Sequence, residues 1–86
     1  MIVHLHRKLI KQLKKIPQER REMLRNQLKL FQMNPFHPQL NNHGLHGKHE
    51  RVRSINIGGD WRALYRCIKP GVAVFFAIGT HSRLYS

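Results

Sequence analysis

Ser54-Ile55-Asn56-Ile57-Gly58-Gly59-Asp60-Trp61-Arg62-Ala63-Leu64-Tyr65 reads as strand, tight turn and strand. Successive strand side chains point to opposite faces, so Val52, Ser54 and Asn56 share one face and Arg53, Ile55 and Ile57 the other. Gly58-Gly59 supplies the positive φ angles of a two-residue hairpin turn. Asp60 follows beside the turn, and residues 61–68 run back.

Lys69-Pro70-Gly71 makes a second turn, and Val72-Ala-Val-Phe-Phe-Ala-Ile78 is almost unbroken apolar. Such a run predicts a strand buried on both faces, interior to the sheet. Gly79-Thr80-His81 breaks it, leaving residues 82–86 as a short tail. Upstream, residues 34–50 read as a loop, because Pro, Asn and Gly interrupt both periodicities. Leu24, Leu28 and Phe31, with Met23 and Leu30 beside them, mark the buried face of a helix that Asn34-Pro35 stops. Glu19 and Glu22 lie early in it, where acidic groups suit the positive end of the helix dipole. An earlier amphipathic helix is marked by Leu5, Leu9, Leu13 and Ile16, with Pro17 between the two. Residues 1–4 suit a brief strand. The expectation is one α+β domain over residues 1–86, ordered β-α-α-β-β-β, with a helical hairpin on a largely antiparallel sheet.

Sixteen Lys and Arg face four acidic residues, a net charge of +12. That excess predicts a polyanionic partner: nucleic acid, an anionic membrane or an acidic protein. Nine of the 16 cations precede Asn34 and seven follow it, so the charge belongs to the whole domain rather than to a tail. The single cysteine, Cys67, makes no intramolecular disulfide and no Cys-rich zinc site, which fits a reducing cytosol. The polar, basic N-terminus reads as no signal peptide, and no 18-residue apolar run spans a membrane.

Proton-transfer groups cluster in the second half. They are His43, His46 and His49 in the loop, Asp60 after the turn and His81 after the last strand. Histidine takes and gives protons near neutrality, so this set suits metal-free RNA cleavage, in which a ribose 2′-hydroxyl attacks the adjacent phosphorus. Arg62, Arg53, Lys48 and Arg83 are candidates to stabilise the developing charge. Trp61 or Tyr85 is placed to stack a base, and Arg51 to meet phosphate. Blander readings stand beside these: a loop histidine is usually just solvated, Asp60 suits turn chemistry, and Trp61 and Tyr65 share a face that suits core. His43-x-x-His46-x-x-His49 is a weak metal signature without cysteine or a fixed element. The glycines match no phosphate loop, and four acids leave no carboxylate pair for divalent-metal nuclease chemistry, so no metal and no cofactor are expected.

The run His43-Gly-Leu-His-Gly47, then Ser54-Ile-Asn-Ile-x-x-Asp-Trp-Arg-x-x-Tyr65, then Ile78-Gly-Thr-His81 and Leu84-Tyr85, resembles the RelE/ParE toxin superfamily. Within it the chain is most similar to the YafQ-like mRNA interferases of bacterial type II toxin–antitoxin systems. The basic helical hairpin ending in Asn34-Pro35-Phe36 extends the likeness over essentially the whole chain. The resemblance implies a cytoplasmic, ribosome-dependent endoribonuclease that cuts mRNA and is neutralised by a cognate antitoxin. It implies His43 and His81 for proton transfer, Asp60 for orienting a histidine, and Tyr85 for positioning base or phosphate. Members of the family commonly carry an acid and a histidine where this chain has Ser54 and Asn56. Asn56 is left with a supporting role, and His46, where the family usually has lysine, is a candidate to take over lost histidine chemistry.

An acidic, partly disordered antitoxin segment that folds on binding is the expected partner, in a hetero-oligomer, beside the ribosome and mRNA. Two other readings stay open. A ParE-like toxin would poison DNA gyrase by surface contact, a branch that typically lacks the histidine set. A catalytically decayed RNA- or antitoxin-binding module would explain Ser54 and Asn56.

Overall fold

The computed structural model describes residues 1–45 and 51–85, except for the side chain of Tyr85. Its elements are β1 (Ile2–Leu5), α1 (Arg7–Leu13), α2 (Gln18–Met33), a 3-10 turn (Pro38–Leu40), β2 (His43–Gly44), β3 (Arg53–Gly58), β4 (Trp61–Lys69), β5 (Val72–Thr80) and α3 (His81–Tyr85). The five strands form one sheet in the order β1-β5-β4-β3-β2. β1 pairs parallel with β5 and every other pair is antiparallel.

The first helix starts later than the apolar stripe suggests. Leu5 belongs to β1, and His6 caps α1 by accepting the Lys8 N–H on Nδ1 at 3.0 Å. Pro17 holds the N-cap position of α2, where its missing N–H costs nothing. Both helices cover one face of the sheet. The core joins Leu9 of α1, Leu24 and Phe31 of α2, Leu40, Ile55 and Ile57 of β3, Ala63 and Tyr65 of β4, and Ala73, Phe75 and Ile78 of β5. Phe31 meets Tyr65 and Phe75 edge-on, with ring centroids at 4.9 and 5.2 Å. β1 pairs only with Val72–Phe75, so β5 continues past it with an open edge. Gln12 of α1 closes that edge: its amide donates to the Ile78 carbonyl at 2.9 Å and accepts the Ile78 N–H at 3.2 Å. Backbone groups half-buried at an unpaired edge need such partners.

The hairpin turn sits one residue later than Gly58-Gly59. Gly58 pairs with Trp61 and closes β3, so the turn is Gly59-Asp60. The reason is a bulge: Asn56 pairs with Arg62, which leaves Ile57 as an extra residue on β3. Gly58, at φ 145°, also sits against the Met23 thioether where a side chain would clash. Other boundaries differ as well. β5 runs on through Thr80 and is interior, but Val74 and Phe76 on its far face are only half-buried. Residues 81–85 form α3 rather than a tail, with Leu84 packed at 3.4 Å from where a Gly79 Cβ would stand. The stretch read as loop contains the 3-10 turn and β2.

Tyr65 is 1% exposed, and its hydroxyl accepts the Asn42 amide at 2.7 Å. Burial pushes its pKa above the ordinary 10.0. The folded state therefore holds the phenol's proton more tightly than the unfolded chain does. Its contribution to stability is complete below pH 10.0 and is lost as the pH rises through the folded pKa. Thermal melts of the intact chain and Tyr65→Phe should accordingly converge above pH 10, with the substitution costing about 1 kcal/mol at neutral pH through the lost hydrogen bond.

Candidate functional site

Alternation along β4 turns Arg62 to the sheet face opposite the helices, toward Ser54 of β3. Its Nε donates to Ser54 Oγ at 2.9 Å, and a terminal nitrogen donates to the Asn41 carbonyl at 3.1 Å. The same nitrogen lies 3.2 Å from His43 Nδ1. Asn41 reaches this point in a left-handed backbone conformation, φ 43°, which asparagine adopts more readily than most residues. β2 then places His43 opposite Ser54. Arg62 is only 9% exposed, and none of these partners carries a negative charge. A buried guanidinium held by neutral acceptors keeps its full positive charge for an incoming anion, and phosphate matches its planar fork.

His43 Nδ1 also lies 2.9 Å from the Asn41 carbonyl. A carbonyl only accepts, so the consistent arrangement has Nδ1–H and the Arg62 N–H both donating to Asn41 O. A bare Nδ1 would instead face the carbonyl's lone pairs. In the neutral ring, Nε2 is then the unprotonated nitrogen and is free to accept a proton.

Asp60 and His81 meet at the other end of the hairpin, where the His81 N–H donates to the Asp60 carbonyl at 3.0 Å. Both residues are exposed. β4 joins this pair to the first, because Trp61 pairs with Thr80 and Arg62 with Gly79. Among the described residues no hydrogen bond links His43 to Asp60. Asn56 pairs with Arg62 across the strands, and its Oδ1 accepts the Gly58 N–H at 3.2 Å, so its side chain braces the turn.

The remaining candidates fall into different settings. Trp61 is half-buried against the core, with the Arg20 guanidinium 5.3 Å from its ring centroid. It shares a cavity of about 270 Å³ with Gln12, Thr80 and Arg83. Arg53 is bound on the helix-covered face: its Nε donates to Asn42 Oδ1 at 2.9 Å and its guanidinium lies 5.4 Å from the Phe36 ring centroid. Arg51 is exposed. His46, Lys48 and His49 lie outside the described residues, as does the side chain of Tyr85, whose backbone ends α3. Among the described residues no three His, Cys, Asp or Glu gather as a metal set, and no helix is long and apolar enough to cross a membrane. Sequence reasoning did not assign Asn41 and Ser54 as the holders of Arg62; Ser54 sits diagonally from Arg62 on the paired strands, opposite Leu64.

This sheet, helical hairpin and C-terminal helical turn define a RelE-like toxin fold. A crystal structure of YafQ from E. coli strain BL21(DE3) superposes with a TM-score of 0.77 at 20% identity, covering 98% of this chain and 97% of that one. The RelE–RelB complex from the archaeon Pyrococcus horikoshii OT3 gives 0.74 at 17% identity, covering 95% and 96%. A copper-bound mutant toxin from Helicobacter pylori gives 0.70 at 23% identity, covering 99% of each chain. No curated protein sequence matches the chain. The family model for the bacterial toxin of type II toxin–antitoxin systems, YafQ, matches residues 2–86, and the chain belongs to that family.

Proposed function

We propose that this toxin is a ribosome-dependent, metal-independent mRNA endoribonuclease. The buried, anion-seeking Arg62 against His43 is the observation that carries the reading. His43 Nε2 takes the proton of a ribose 2′-hydroxyl, whose oxygen attacks the adjacent phosphorus. His81 protonates the departing 5′-oxygen, leaving a 2′,3′-cyclic phosphate and a 5′-hydroxyl. Arg62 meets the charge on the phosphorane-like transition state. Asp60 orients His81 and Tyr85 positions the base or phosphate. Lys48, Arg51, Arg83 and Trp61 contribute to RNA binding. The scarcity of carboxylates, four in the whole sequence, supports a route without divalent metal.

The partner is a cognate antitoxin with an acidic segment, in keeping with the charge of +12. YafQ itself has been crystallised with DinJ, in a complex whose toxin superposes here at a TM-score of 0.69. The chain acts in the cytoplasm, where ribosomes are. Primer extension on transcripts after brief induction tests this reading. The intact chain should cut translated messages, and His81→Ala should remove the cuts. Growth arrest without cuts would point to gyrase instead, and normal growth without cuts to a binding module without activity.

A further inference from the structure

A second feature of the same sheet face lies beyond these residues. Arg62, Leu64 and Arg66 alternate onto one face of β4, opposite the helices. Four residues at ~3.3 Å per residue put Arg66 about 13 Å from Arg62 along the strand. The Arg66 guanidinium lies 5.1 Å from the centroid of the Phe76 ring. Both sit in a cavity of about 280 Å³ whose other walls are His6, Lys8, Ile68 and Val74.

Two bulges build this cavity. Leu64 pairs with Ala77 and Tyr65 with Phe75, so Phe76 is the extra residue on β5. Cys67 pairs with Ala73 and Lys69 with Val72, so Ile68 is the extra residue on β4. Bulges re-aim side chains, and here both extra residues line the same hollow. Ile68 stays 63% exposed there. His6 adds a donor: its Nδ1 accepts the Lys8 N–H, so the neutral ring carries its proton on Nε2. The hollow thus combines an aromatic ring, a guanidinium layered on it, an ammonium and an N–H donor, and among the described residues no acid lines it.

We propose that this hollow binds a nucleotide of single-stranded RNA flanking the one held at Arg62, an inference that rests on the ribonuclease reading. The base stacks on the Arg66–Phe76 layer, as bases do on aromatic rings and guanidinium planes in single-strand binders. Lys8 and the outer edge of Arg66 hold its phosphate. Charge complementarity and the shared face of β4 select RNA as the occupant, and the two sites lie on one track across the sheet.

The test is equilibrium binding of the intact chain to an eight-nucleotide RNA and to a trinucleotide, each with 2′-deoxyribose at the cleaved position so that no cutting occurs. The double variant Lys8→Glu/Arg66→Glu is compared with Arg25→Glu/Lys29→Glu, which changes the net charge equally on exposed positions of α2. We expect the first pair to weaken the eight-nucleotide RNA at least tenfold, to leave the trinucleotide nearly unchanged, and to lower the salt slope by about 0.7 for the one phosphate held. Phe76→Leu, which keeps the apolar bulk, should cost about tenfold with no change in salt slope. Equal losses from both charge-reversed pairs would reduce the effect to bulk charge and overturn the proposal. So would retained RNA binding with loss of an acidic decapeptide, which would make the surface a peptide site. If the intact chain binds both RNAs and only Arg62→Lys weakens them, or if it binds neither, this site falls alone; the ribonuclease reading falls only if translated messages stay uncut in the primer-extension assay.

Discussion

Arg62→Lys should leave a folded toxin whose cleavage of translated messages drops by about 10²- to 10³-fold, the usual loss when a donor aimed at transition-state charge is removed. The substitution keeps the positive charge but loses the geometry. Arg62 reaches Ser54 through Nε and Asn41 through a terminal nitrogen at the same time. An ammonium on a flexible stem lacks the planar fork that holds two such acceptors and a phosphate together. The loss should fall on the rate at saturating ribosomes, because the interaction strengthens as charge builds on phosphorus. Cleavage assays paired with urea melts separate this from a simple loss of fold. Full activity in a folded Arg62→Lys chain would reduce the residue to a brace between β2, β3 and β4.

Phe31→Ala should have the largest effect on stability. The side chain is 0% exposed and is the point where α2 meets both Tyr65 and Phe75. Truncating a core phenylalanine costs about 3–5 kcal/mol. Single domains have about 5–15 kcal/mol to lose, so a large share of the stability goes with that one ring. A urea titration should show the midpoint falling sharply while the slope of the transition holds. Phe31→Leu, which keeps much of the volume, should cost markedly less. A Phe31→Ala midpoint close to that of the intact chain would mean that the three-ring cluster is not what seats α2 on the sheet.

Periodic residues made the layered plan readable. Leu24 and Phe31 at helical spacing, and Ile55 amid alternating partners, fall in the core where their spacing places them. Features that depend on a distant partner were not readable. The extra residue at Ile57 leaves no mark in an alternating pattern, and it shifted the turn by one position. α3 is five residues without an apolar period, and it is seated by Leu84 folding back on Gly79 of the preceding β5. β2 is two residues, ordered by Arg53 and Ser54 opposite. The site divides the same way. His43, Asp60 and His81 stood out by chemical type, and Asp60 and His81 do come together. The anchor that His43 and Arg62 share is the backbone carbonyl of Asn41, which no residue name discloses.

The parallel pairing of Ile2 with Val72 sets an order of assembly. β3, β4 and β5 are joined by tight turns and can zip together locally. β1 has no partner until β5, 70 positions away, is in place, so its docking carries the longest loop closure in the fold. The segment at the start of the chain should therefore join the sheet late, after the hairpins are formed.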